Sequence, residues 1–157
     1  MVLCGAFFGA SRSEGLKRQV KICSDTQRMM RLCETMIRSC GTDIYSLIAM
    51  LRREELSALR FIALLPDEYG AGHNFHKEWR RGIEMQGDIR GEEKRILLEF
   101  GSLLGTTDVE GQLSGISALQ SLIQTLYERR SEEYNSKGRL YRSVGLIAGV
   151  TLGIMVI

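Results

Sequence analysis

The chain has 157 residues, 44% of them apolar and 25% charged, which suits one folded domain and excludes a disordered tail. Twenty-one basic against nineteen acidic side chains leave a net charge of +2, too balanced for a nucleic-acid binder that works through bulk charge. One proline against seventeen glycines favours long helices with glycines at turns and close contacts, and it argues against an all-β fold.

The first eleven residues, Met1 to Ser11, are uncharged and mostly apolar. As a helix they reach about 16 Å, too short to cross a bilayer, so residues 1–11 read as a partial or degenerate anchor. No basic region precedes them, as a signal peptide would require. A long helix is expected from about Gly15 to Cys40, with Val20, Cys23, Gln27, Met30, Cys33 and Ile37 recurring at helical steps. This quarter of the chain is basic. The four cysteines (Cys4, Cys23, Cys33, Cys40) form no CxxC pair and read as reduced thiols packed as small apolar side chains.

Gly41 stops that helix, and Thr42-Asp43 can cap the next, which extends toward Leu65 with a break near Arg53. Pro66 to Gly72 is the clearest loop. A third helix is expected over Asn74–Gln86, with Trp79 and Ile83 one turn apart. A fourth covers Glu92–Leu104, with Ile96, Leu97, Phe100, Leu103 and Leu104 in one stripe. Gly105 to Asp108 makes a stop and a new cap. The last helix starts near Val109 and carries the stripe Val109, Leu113, Ile116, Leu119, Ile123, Leu126, Arg130 and Tyr134.

Ser143 to Ile157 contains no charge and reaches about 22 Å as a helix, against roughly 30 Å of bilayer hydrocarbon. Leu140 and Tyr141 extend it if Arg142 snorkels to the interface. Lys137, Arg139, Tyr141 and Arg142 are the expected interface anchors, and basic residues on this side place the body of the protein in the cytoplasm. Gly145, Gly149 and Gly153 share one face at four-residue spacing, which lets a second membrane helix approach closely. The expected fold class is all-α: a small cytoplasmic helical bundle, residues 12–142, whose long last helix runs into a C-terminal transmembrane helix, residues 143–157.

No chemistry stands out. His73 and His76 lie three apart but have no third metal donor at a convincing spacing, so they read as an exposed pair at a helix start. Gly101 to Gly105 lacks the Gly-Lys-Ser/Thr ending of a phosphate loop, and neither a GxSxG elbow nor an HExxH helix occurs. Glu92-Glu93 and Glu132-Glu133 alternate with basic residues as a solvated helix surface does. The expectation is a protein that is not an enzyme and uses no metal or other cofactor.

The block Ile96-Leu-Leu-Glu-Phe-Gly-Ser-Leu-Leu-Gly105 is followed seven residues later by Gln112. A charged helix with Glu132 and Glu133 then leads to Arg139-Leu-Tyr-Arg-Ser-Val-Gly-Leu-Ile-Ala-Gly149. This pattern resembles the stage III sporulation protein AB family of endospore-forming bacteria. Trp79, with Gly82-Ile83 after it, is similar to that family's tryptophan-centred helix. Trp79, Phe100, Gly101, Leu104, Gly105 and Gln112 are the residues that carry the motif. Two departures stand out. Family members usually begin with a full membrane span, and their first long helix usually ends Leu-Glu-x-Glu-Ile, where this chain reads Met36-Ile37-Arg38-Ser39-Cys40.

The resemblance implies a non-enzymatic platform similar to the inner-membrane protein of type II secretion and type IV pilus machines. Such a scaffold belongs to the channel between mother cell and forespore and sits in the mother-cell membrane of a sporulating bacterium. It docks a secretion-type ATPase to membrane partners and other channel components. Glu132 and Glu133 are candidate partner contacts, and a homo-oligomer is a further option. The alternative function is a C-tail-anchored helical adaptor or regulator unrelated to secretion.

Overall fold

The computed structural model describes the backbone of residues 2–40, 43–66, 74–105 and 108–155, and the side chains of 13–39, 43–66, 74–105 and 108–137. Five α-helices and one 3₁₀ turn occur among the described residues: α1 (Val2–Cys40), α2 (Ile44–Arg53), the 3₁₀ turn Arg60–Leu64, α3 (Phe75–Met85), α4 (Gly91–Leu103) and α5 (Val109–Met155). The all-α expectation therefore holds. Among the described residues no helix is long and apolar enough to cross a membrane. The side chains of Ser143–Ile157 lie outside the described set, as do those of Met1–Ser11 and of Cys40.

The chain divides into two compact units, Lys21–Tyr127 and the two ends Met1–Val20 with Glu128–Ile157. The ends are helical throughout their described parts. Their described side chains are mostly exposed or half-buried, Lys17, Arg18, Arg129, Glu132 and Lys137 among the exposed ones.

Lys21–Tyr127 contains the core. Ile22, Cys23, Met29, Met30 and Cys33 of α1 are fully buried with Leu47, Ile48 and Leu51 of α2, Trp79 and Ile83 of α3, Ile96, Leu97 and Phe100 of α4, and Ile116, Leu119, Ile123 and Leu126 of α5. All five helices thus bury a stripe at three- and four-residue spacing, as the periodicity requires. On α1 the buried face is wider than the expected stripe because Ile22, Thr26 and Met29 join it. Val109 opens the expected α5 stripe but is 48% exposed, since the helix meets the core only from Leu113 onward.

Local signals set the helix ends. Asp43 caps α2, its carboxylate accepting the Tyr45 and Ser46 N–H groups at 2.9 and 3.1 Å. The Ser46 hydroxyl and backbone hold that carboxyl below the usual aspartate range. Asn74 caps α3 through the Lys77 N–H at 3.1 Å, and the Asp108 carboxylate accepts the Gly111 N–H at 2.6 Å where α5 begins.

Two boundaries differ from expectation. α1 starts at Val2 rather than near Gly15, because the apolar segment has no proline and its alanines, leucine and phenylalanines continue the helix. The stretch after Arg53 is not helix as far as Leu65. It turns at Glu54, whose N–H bonds the Leu51 carbonyl, and re-forms only as the 3₁₀ turn, held by its own buried polar contacts.

Candidate functional site

The motif residues gather where α3 crosses α4. The Trp79 ring, 1% exposed, lies edge-on to Phe61 at 5.0 Å between centroids, with Phe75 at 5.5 Å and Phe100 at 5.9 Å. Its indole N–H donates to the Leu97 carbonyl at 2.8 Å, which satisfies the ring's one polar atom inside the core. The indole lies against Gly101. A Cβ placed there would stand 2.2 Å from Trp79 Cδ1, so only glycine fits. One turn earlier on α3, His76 Nδ1 lies 3.0 Å from the Gly101 carbonyl, one of the last carbonyls of α4. His76 is therefore a half-buried clamp on the end of α4 rather than a solvent-exposed side chain, and His73 lies outside the described residues.

Gly105 follows at φ +75°, a conformation that L side chains avoid, and a Cβ there would meet Ile44 Cδ1 at 2.5 Å. Leu104 beside it is buried. The motif Phe100-Gly101-x-x-Leu104-Gly105 is thus a packing device: Gly101 admits the indole, and Gly105 turns the chain back over α2. Gln112 lies on the first turns of α5, half-buried, and its N–H bonds the Asp108 carbonyl. It does not join the tryptophan cluster.

A second constellation escaped the sequence reading. The loop before the 3₁₀ turn is held from two sides by buried side chains. The Asp25 carboxylate of α1, 2% exposed, accepts the Ala58 N–H at 2.8 Å and pairs with Lys21 at 2.8 Å. Gln86, 6% exposed, accepts the Phe61 N–H at 2.9 Å and donates to the Ala58 carbonyl at 2.7 Å. Asp25 and Gln86 replace the backbone partners that an irregular buried segment lacks. The only sequence signal was Asp25-Thr26-Gln27, three polar residues that interrupt the apolar face of a long helix.

Glu93 corrects the reading of Glu92-Glu93 as a solvated pair. It is 1% exposed, with the Cys23 thiol 4.0 Å from its Oε1, because it occupies the third position of α4, on the side that packs against α1. Cys23 and Cys33 are both buried free thiols, and burial pushes Cys33 far above the ordinary thiol range. Among the described residues, no three histidine, cysteine or acidic side chains gather into a group that could hold a metal ion.

The remaining predicted residues lie on the outer parts of α5. Glu132 is exposed, Glu133 is half-buried with Arg130 at 3.5 Å, and Lys137 is exposed. Arg139, Tyr141, Arg142, Gly145, Gly149 and Gly153 fall outside the described side chains. Within Lys21–Tyr127, α1 and α5 run antiparallel along a polar seam. Gln27 donates to Gln124 at 2.6 Å, and Gln120 donates to Glu34 at 2.9 Å. The Gln120 amide, then Arg38, hold the Glu34 carboxyl below its ordinary range.

Comparison with known proteins adds one finding. A family model described as stage III sporulation protein AB matches residues 1–157, the whole chain. No curated protein and no solved structure matches.

Proposed function

Because this chain belongs to the stage III sporulation protein AB family, with a part in stage III of sporulation, we propose that it is a membrane-attached scaffold. It does no chemistry of its own. It docks a secretion-type ATPase to membrane partners in a secretion-like channel between mother cell and forespore. The soluble bundle stands in the mother-cell cytoplasm, and Ser143–Ile157 is its anchor.

The observation that carries this reading is α5. It is one helix of 47 residues, its early turns line the core of Lys21–Tyr127, and its sequence loses all charge from Ser143 onward. An element that begins as part of a bundle and ends as an uncharged run suits attachment better than catalysis. The charge distribution agrees. The two ends of the chain, residues 1–20 and 128–157, carry Arg12, Lys17, Arg18, Arg129, Arg130, Lys137, Arg139 and Arg142 against Glu14, Glu128, Glu132 and Glu133. That excess suits an anionic membrane surface. Gly145, Gly149 and Gly153 then serve as the packing face toward a second membrane helix. Glu132 and Glu133 are available to a partner beside the membrane.

The test is alkaline extraction of membranes from cells that express either the full chain or a version ending at Arg142. The expected result is the full chain in the pellet and the shortened chain in the supernatant. Release of both would overturn the anchor. Co-expression with the secretion-type ATPase of the same complex tests docking: a complex is expected, and its absence with both proteins folded would remove the platform role.

A further inference from the structure

We propose that the polar groove between α1 and α5, within Lys21–Tyr127, receives an aspartate or glutamate side chain projected by a partner protein, with Arg31 as its counter-charge. The site belongs to the bundle and needs no membrane anchor.

In this unit α1 carries four cations, Lys21, Arg28, Arg31 and Arg38. Lys21 pairs with Asp25 at 2.8 Å, Arg28 with Glu54 at 2.7 Å and Arg38 with Glu34 at 2.7 Å. Arg31 is the exception: its exposed side chain has no ion pair or hydrogen bond among the described residues. The cause lies in the facing helix. Gly111 to Tyr127 of α5 is a run of seventeen residues without a charge, so α5 offers Arg31 no carboxylate. Glu34, one turn further along α1, is already held by Arg38 and by the Gln120 amide at 2.9 Å.

Arg31 lines a groove of about 280 Å³ together with Gln27, Ser117, Gln120, Ser121 and Gln124. The lining thus combines one positive charge with amides and hydroxyls, and it holds no carboxylate. Gln27, 9% exposed, is fixed there by its 2.6 Å bond to Gln124. Each amide nitrogen carries two hydrogens. Gln27 uses one on Gln124 and Gln120 uses one on Glu34, so each keeps a second N–H for a ligand. The Ser121 hydroxyl donates to the Ser117 carbonyl at 3.2 Å, whereas the Ser117 hydroxyl has no partner among the described residues.

Charge and size select the occupant. A guanidinium presents paired N–H donors that match the two oxygens of a carboxylate, and the neighbouring amide and hydroxyl donors suit its remaining lone pairs. An apolar side chain would bury those donors without partners, and a cationic one would meet Arg31 with no anion between them. One arginine balances one negative charge. A phosphate monoester brings nearly two and is ordinarily met by a cluster of arginines, which this groove lacks. The groove is also smaller than the pockets that enclose whole small molecules, and it suits a single projecting side chain.

Nuclear magnetic resonance of the full chain in mild detergent provides the test, with a capped Ala-Glu-Ala-Glu-Ala peptide as the probe. Saturable shifts are expected at the Arg31 Nε–H and at the side-chain amides of Gln27 and Gln120, and none with the glutamine version of the peptide. Arg31→Gln is expected to weaken binding at least about tenfold with unchanged helical content. Arg53→Gln, at an exposed arginine outside the groove, should leave binding as it is. A wild type whose groove signals do not move overturns the proposal, as does binding that survives Arg31→Gln or falls equally in both variants. Tighter binding of the phosphoserine version would make the groove a phosphate site and the carboxylate assignment wrong.

Discussion

The crossing of α3 with α4 and the seam between α1 and α5 close the same bundle with opposite materials. At the first, the Trp79 indole is pressed onto Gly101 and surrounded by Phe61, Phe75 and Phe100, with its single polar atom satisfied at 2.8 Å. At the second, an apolar stripe is bordered by two amide contacts, Gln27–Gln124 and Gln120–Glu34, and by serines. The first contact tolerates almost no change in shape. The second keeps a polar margin that water can enter, so single changes there disturb less. The difference teaches that the recognisable motif of this chain marks where helices lock together by shape, while the α1–α5 seam is closed by residues with no distinctive local pattern.

Substitutions can break or sharpen this contrast. Trp79→Ala should have the largest effect, a loss of about 4 kcal/mol in urea denaturation followed by far-ultraviolet circular dichroism. Gly101→Ala should cost about 2 kcal/mol by forcing a methyl group into the indole. That penalty should shrink in a Trp79→Leu background, because the clash is with the ring itself. An unchanged penalty would mean that Gly101 matters for its backbone and not for the approach.

Asp25→Ala should cost about 2 kcal/mol, since the buried Ala58 N–H loses its acceptor. Gln124→Leu at the polar seam should cost about 1 kcal/mol, and a value as large as that of Trp79→Ala would erase the contrast. The smallest effect is a pH dependence. Glu34 is held below its ordinary range by Gln120 and Arg38, so its contribution is fully present above the unfolded-state carboxylate pKa and is lost as pH falls through the lower folded value. Wild type minus Glu34→Gln should therefore show a stability gain at neutral pH that fades in acid. A constant difference would contradict the Gln120 contact.

The helices themselves were legible in the sequence. Apolar residues at helical spacing, the caps Asp43 and Asn74, and the stops near Gly105 brought the expected ends of α3 and α4 within one residue of those observed. The break after Arg53 was legible too, but the irregular path beyond it was not. That path depends on Asp25 and Gln86, which approach the loop across 33 and 25 residues of chain. No local pattern encodes such a bond.

Glu93 shows the same limit from the other side. Beside Glu92 and Lys94 it has the local pattern of a solvated surface, and only the packing of α4 against α1 buries it with Cys23. The family motif and the long uncharged terminal run are local strings, so the sequence by itself determined the fold class and the family. The tertiary structure decided why Gly101 must be glycine, which acids are buried, and which face of α5 is left bare. Those properties depend on which side chains meet from distant parts of the chain, and that is settled only when the helices pack.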